Sequence, residues 1–309
     1  MHKPYLLIIA LLISFNAFPQ QLYTPEQLDT ATPYISFDEA LKHPDNVVVL
    51  DLLNAGLSEI PKDILKFKNL QRLVLYENGI KEIPDFITQL PNLQELYLDR
   101  NQIVSLPENL GQLKHLRILS LNNNKLQTLP ESIGNLKELE VLSVAHNQLQ
   151  FLPEELTFCT NLRVLDITDN QLNYLPSSLG RLKKLQKLLA GENQLDSLPY
   201  SIGELENLRV LTLDNNNLYE LPESIGELKR LESLSAINNH LLTLPETIGN
   251  LSNLRELVLT NNKLEEIPET IKKLRGLAFL DVQGNPLTKE QIEFLKKNLP
   301  DTFINYSEE

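Results

Sequence analysis

The chain repeats at a fixed interval of 23 residues, eleven times, with no insertion or deletion between units. Leucine marks the interval at Leu70, Leu93, Leu116, Leu139, Leu162, Leu185, Leu208, Leu231, Leu254 and Leu277, and Val47 opens the series. A unit this short cannot bury an apolar face by itself, whereas stacked copies can. A strict period of this size therefore means a solenoid.

Each unit follows L-x-x-L-x-L-x-x-N-x-L-x-x-L-P-x-x-I-x-x-L, as in Leu116, Leu119, Leu121, Asn124, Leu126, Leu129, Pro130, Ile133 and Leu136. The L-x-x-L-x-L segment ends in apolar–polar alternation, which predicts a strand with one buried face. A short strand in every unit lies parallel to its predecessor, because the connection returns the chain to the same side. The Asn column (Asn78, Asn101, Asn124, Asn147, Asn170, Asn193, Asn216, Asn239, Asn262, Asn285) falls where the chain leaves the strand, with Ala55 in its place in the first unit. Buried turns need partners for backbone N–H and C=O groups. An amide offers both donors and acceptors, so this column predicts a structural ladder.

The second half of the unit carries proline at ten equivalent positions, from Pro61 to Pro268. Proline suits the first turn of a helix, where its missing N–H is not needed. Ile133 and Leu136 then share one face of a short turn. The spacing predicts short helical or 3₁₀ segments, with the intervening glycines read as turn residues.

This pattern resembles the leucine-rich repeat family over residues 47–299, and its 23-residue L-P-x-x-I form is most similar to the Ras-suppressor and scaffold type and to bacterial leucine-rich repeat proteins. The resemblance implies an α/β class fold: a right-handed, curved solenoid with a parallel sheet on its concave side and short helical or 3₁₀ segments on its convex side. It also implies binding as the function.

The ends divide the chain further. His2 and Lys3 precede an apolar run from Tyr5 to Phe15, which fits a signal peptide over residues 1–20. Residues 21–46 read as a spacer without structure of its own over 21–34, then a capping helix near 37–43. That helix carries a capping box at Ser36 and Glu39, and a staple between Ile35 and Ala40. The repeats occupy 47–285. Residues 286–309 read as a C-terminal cap, with Thr288 and Gln291 opening a helix and Thr302–Tyr306 adding an edge strand. Signal-led export without a disulfide framework fits a secreted, periplasmic or surface protein of a bacterium; the alternative is a cytoplasmic one. The lone Cys159 occupies a core column.

The formal net charge of −13 argues against a nucleic-acid binder and against anionic lipid. No nucleophile constellation, metal-ligand spacing or phosphate-binding glycine loop appears, so no cofactor, no metal and no enzymatic activity are expected. Function then lies on the concave face. Successive strands about 4.8 Å apart give that face a length of roughly 50 Å. Two patches stand out there: Arg72, Tyr76, Glu77, Tyr97, Asp99 and Arg100 near the N-terminal end, and His146, Asp166, Asp169 and Glu192 further on. Tyr and Arg are the residue types enriched at binding hot spots. The expectation is a monomeric, non-catalytic module that binds a protein or peptide and does not insert into the membrane once the signal is removed. A small-GTPase-associated scaffold and a carbohydrate-binding adhesin are the rivals.

Overall fold

In a computed structural model, residues 22–307 are described; the signal-peptide segment expected at 1–20 lies outside them. The leucine columns build one open sheet of twelve parallel strands in strict chain order. β1 (Val49–Asp51), β2 (Arg72–Val74) and β3 (Glu95–Tyr97) begin it, and equivalent strands continue to β11 (Phe279–Asp281) and β12 (Phe303–Asn305). Registers are locked to the repeat: Val49 pairs with Arg72 and Arg72 with Glu95. In strands β1 to β11 the central leucine points inward and is fully or almost fully buried, as at Leu73, Leu96 and Leu188, while the centre of β12, Ile304, is only partly buried. Burial of one such side chain is worth roughly 1.5–3 kcal/mol.

On the other side of the core each proline precedes a 3₁₀ segment, such as Glu131–Asn135, whose Ile133 is buried. These segments pack on one another so closely that the glycine column is set by approach distance, not by turn conformation. A Cβ on Gly203 would sit 2.2 Å from the Ser224 carbonyl oxygen, and one on Gly134 2.4 Å from that of Glu155. Cys159 fills its column with no solvent exposure; burial pushes its thiol up to about 11.

The asparagines wire each turn to the preceding unit. Asn147 Nδ2 donates to the carbonyls of Leu121 (3.0 Å), Val144 (3.0 Å) and Ala145 (3.1 Å), while its Oδ1 accepts from Leu126 N–H at 2.9 Å. The same four-way bonding recurs at Asn101, Asn124 and Asn170.

At the C-terminus α3 (Lys289–Asn298) covers the open core with Ile292 and Leu295. Thr288 accepts from Gln291 N–H, but the Gln291 side chain turns away to accept from Ile267 N–H at 3.1 Å, so only half of the expected capping box forms. The N-terminal end departs further from expectation. Residues 25–30, read as structureless spacer, form helix α1 (Pro25–Thr30), with a complete capping box between Thr24 and Gln27 and with Leu28 fully buried. After it, Tyr34 pairs with the edge of β1. Helix α2 (Phe37–Lys42) is capped by Ser36, yet Glu39 bonds Lys42 and Ile35 is 76% exposed, so the staple is absent. Short polar segments such as 22–31 show no periodicity of their own; only their landing site on the repeats orders them.

Candidate binding surface on the concave face

In each strand the residues flanking the buried leucine point to the concave side, as do the next two polar positions before the Asn. The Val74–Tyr97 register places Tyr76 diagonally across from Tyr97. Both rings line a cleft of about 430 Å³, together with Leu53, Val74, Arg72 and Asp29. The Arg100 guanidinium lies over the Tyr76 ring, 5.6 Å from its centroid, and Arg100 approaches Glu77 at 3.8 Å.

One wall of the cleft is the α1 arm. Arg72 Nε donates to Glu95 at 2.5 Å, Nη1 to the Leu28 carbonyl at 3.1 Å and Nη2 to Asp29 at 2.6 Å. Partial burial works against its charge, but the bonds to Glu95 and Asp29 more than offset this and raise its pKa. Tyr97 Oη donates to the same Glu95 carboxylate at 3.1 Å, and burial followed by the Glu95 charge raises the phenol pKa. Two stacked glutamines hold a peptide unit of the arm: Gln71 Oε1 accepts from Tyr23 N–H at 2.7 Å, and Gln94 Nε2 donates to the Tyr23 carbonyl at 3.0 Å.

The structure sorts the residues expected from sequence into two kinds. Arg72 and Asp99 brace the fold. Asp99 is 7% exposed; its Oδ1 accepts from Ser120 Oγ at 2.7 Å and Asn122 N–H at 3.0 Å. Tyr76, Glu77, Arg100 and Glu192 reach solvent, and Tyr97 shows part of its ring. In the second patch His146 Nδ1 lies 2.7 Å from Asp169 Oδ2, while Asp166 caps Thr168 N–H at 3.1 Å. Among the described residues no group of three His, Cys, Asp or Glu side chains is placed to hold a metal.

Glu95, at the centre of the first patch, was not picked out from sequence. Its column carries Arg72, Ile118, Val141 and Val164, and nothing in its own unit marks it as buried. The Asp99 brace did leave a signal. An Asp or Asn two residues before the ladder Asn, with Ser 21 positions later, recurs at Asn122 with Ser143 and at Asp214 with Ser235, each pair bonded alike.

The position just before the ladder Asn is left-handed throughout. Asn54, Glu77, Arg100, Asn123, His146, Asp169, Glu192, Asn215, Asn238 and Asn261 have φ between 50 and 58°, and Gly284 has φ 70°. This conformation costs ordinary residues roughly 1–2 kcal/mol. The turn therefore dictates the backbone here, whatever side chain is displayed.

Charge is uneven across the concave face. The four outward columns carry the carboxylates of Asp51, Glu77, Glu95, Asp99, Asp166, Asp169, Glu192, Asp214, Glu256 and Asp281, against Arg72, Arg100 and Lys187 alone among lysines and arginines. The surplus gives this face a negative field.

A repeated parallel-strand unit with a bonded Asn column is the mark of one class, and comparison with known proteins agrees. The model of the leucine-rich repeat region matches residues 105–189 and 154–243, a two-copy leucine-rich repeat model matches 68–115, and a further leucine-rich repeat model matches 238–287. The chain belongs to the leucine-rich repeat proteins. No curated protein matches it. Among solved structures it is similar to a leucine-rich repeat protein of Leptospira interrogans, with 29% identity, 89% of this chain and 100% of that one covered, and a TM-score of 0.40. It is also similar to the Arabidopsis receptor kinase HAESA in complex with the peptide hormone IDA and the co-receptor SERK1. The identity there is 30%, coverage is 79% of this chain and 47% of that one, and the TM-score is 0.63. An internalin of Listeria monocytogenes is 21% identical, with 86% and 84% covered and a TM-score of 0.66. The chain thus spans about half the length of the plant receptor chain. Among the described residues no helix is long and apolar enough to cross a membrane.

Proposed function

We propose that the protein is a non-catalytic binding module that receives a protein or peptide along its concave face, and that this partner presents basic side chains. The observation that carries the reading is the acidic surplus of the concave columns around the cleft of Tyr76 and Tyr97. An aromatic floor beside carboxylates suits the aliphatic stem and charged head of a lysine or arginine. The arm supplies a precedent within the molecule, since Gln71 and Gln94 already grip the Tyr23 peptide unit. The similarity to a receptor kinase solved with a peptide hormone is in keeping with this use of the fold. Residues 1–20 act in this reading as an export signal.

Affinity capture with the full chain, from envelope and medium fractions of the source cells, tests the proposal. The captured partner is expected to lose about ten-fold or more in affinity when Tyr76→Ala and Tyr97→Ala are combined. Unchanged affinity in that double variant excludes the concave site. N-terminal sequencing of the exported protein tests the signal: a start near residue 21 is expected, and a start at Met1 refutes it.

A further inference from the structure

We propose a second interaction surface, on the flank of the solenoid, that takes an extended segment carrying arginine side chains. It lies where the loops after the Asn ladder meet the 3₁₀ segments of neighbouring units, away from the concave columns. Phe151 and Tyr174 occupy the same column in consecutive units, and they are 40% and 56% exposed. That column holds Ser105, Thr128 and Ser197 in adjoining units, so the fold asks for no aromatic there. With Pro130 and Pro153 the two rings floor a groove of about 750 Å³.

The rim of this groove is acidic and its lining holds no basic residue. Glu154 is engaged: its carboxylate accepts from Ser177 N–H at 2.6 Å and Ser178 Oγ at 2.6 Å. Glu108, Glu131 and Glu155 make no hydrogen bond or ion pair among the described residues. Some acids elsewhere are matched, as Glu140 is by Arg117 at 3.0 Å and Arg163 at 3.4 Å. Exposed aromatic rings beside three unmatched carboxylates complement a planar guanidinium, which stacks on a ring face while donating to an acid. Lining residues from four successive units give the groove a length of roughly 15 Å, which suits about four extended residues at ~3.3 Å each.

Fluorescence anisotropy of labelled hexa-arginine, titrated with the full chain at near-physiological salt, tests the surface. Glu131→Gln with Glu155→Gln, and separately Phe151→Ser with Tyr174→Ser, are each expected to weaken binding about five- to ten-fold. Serine already stands in the aromatic column, so the second pair keeps the fold. Glu265→Gln with Glu266→Gln removes two charges from the same flank at the far end of the array, and is expected to change binding less than about two-fold. Tyr76→Ala with Tyr97→Ala removes the share of the peptide that the concave cleft takes, and the losses caused by both flank pairs are expected to persist in that background. Equal losses in the near and far acid pairs mean general attraction to an acidic chain and overturn the proposal, as does indifference to losing the rings. Loss confined to the Tyr76 and Tyr97 variant overturns the flank site while leaving the concave reading standing.

Discussion

Glu95 is 1% exposed, and its carboxylate is held at 2.5 Å by Arg72, which in turn reaches Asp29 on the α1 arm. This ion pair ties the arm to the first strands. A buried charge that loses its partner is costly, whereas replacing both partners by apolar groups can be nearly neutral. Arg72→Met is therefore expected to destabilise by about 3 kcal/mol, and combining it with Glu95→Leu to restore part of the loss. Urea denaturation of the two single variants and the double variant checks this. Additive losses would show that the pair is not coupled.

The ladder makes a graded prediction. Asn147→Ala removes three donated bonds and one accepted bond in the buried interior, leaving Leu126 N–H and the freed carbonyls without partners. The expected cost is about 2–3 kcal/mol. Asn285→Ala, near the cap and less buried, is expected to cost less, and thermal melting of the two variants ranks them.

The left-handed column predicts a gain. Glu192 holds φ 54° without glycine's freedom or the local bonding that favours asparagine there. Glu192→Asn is expected to stabilise by up to about 1 kcal/mol, and Asn238→Val to destabilise by a similar amount or more. Chemical denaturation midpoints decide. No difference between the two variants would mean that the turn imposes no residue-dependent cost.

Tyr97 carries the pH dependence. Its phenol pKa is raised by burial and by Glu95, so the fold favours the neutral ring. That contribution is fully present below the unfolded value of about 10 and is lost as pH rises toward the folded value. Stability of the parent chain is expected to fall with pH above about 10 more steeply than that of Tyr97→Phe, by up to about 1.4 kcal/mol per pH unit. Parallel curves for the two proteins would contradict the assignment.

The repeating half of this molecule was legible because its constraints are periodic. Leu73 and Leu96 are buried for the same reason, 23 residues apart, and any one unit teaches the rest. What escaped is what occurs once. Helix α1 exists because Leu28, Tyr23 and Asp29 find partners on the second and third units, a long-range arrangement that no local pattern records. Glu95 sits in an open column yet is sealed by that same arm. The glycines were visible but misattributed, since the approach of Gly203 to Ser224 belongs to two units at once. On the concave face the letters of the site could be read, but not which were already taken: Asp99 and Tyr97 have equal standing in sequence, and only the first is spent entirely on Ser120 and Asn122.

The four-way bonding of the asparagines has a mechanical consequence. Because Asn147 ties only its own turn and the one before it, tension along the ladder is carried link by link, and only the α1 arm, bonded to Gln71, Arg72 and Gln94, bypasses the first unit. Such a chain is expected to yield first at its ends, where α3 covers the last turns and the α1 arm grips the second and third units, and to peel inward. A flaw in a middle unit instead severs it into two shorter springs, each needing a clasp that it does not have.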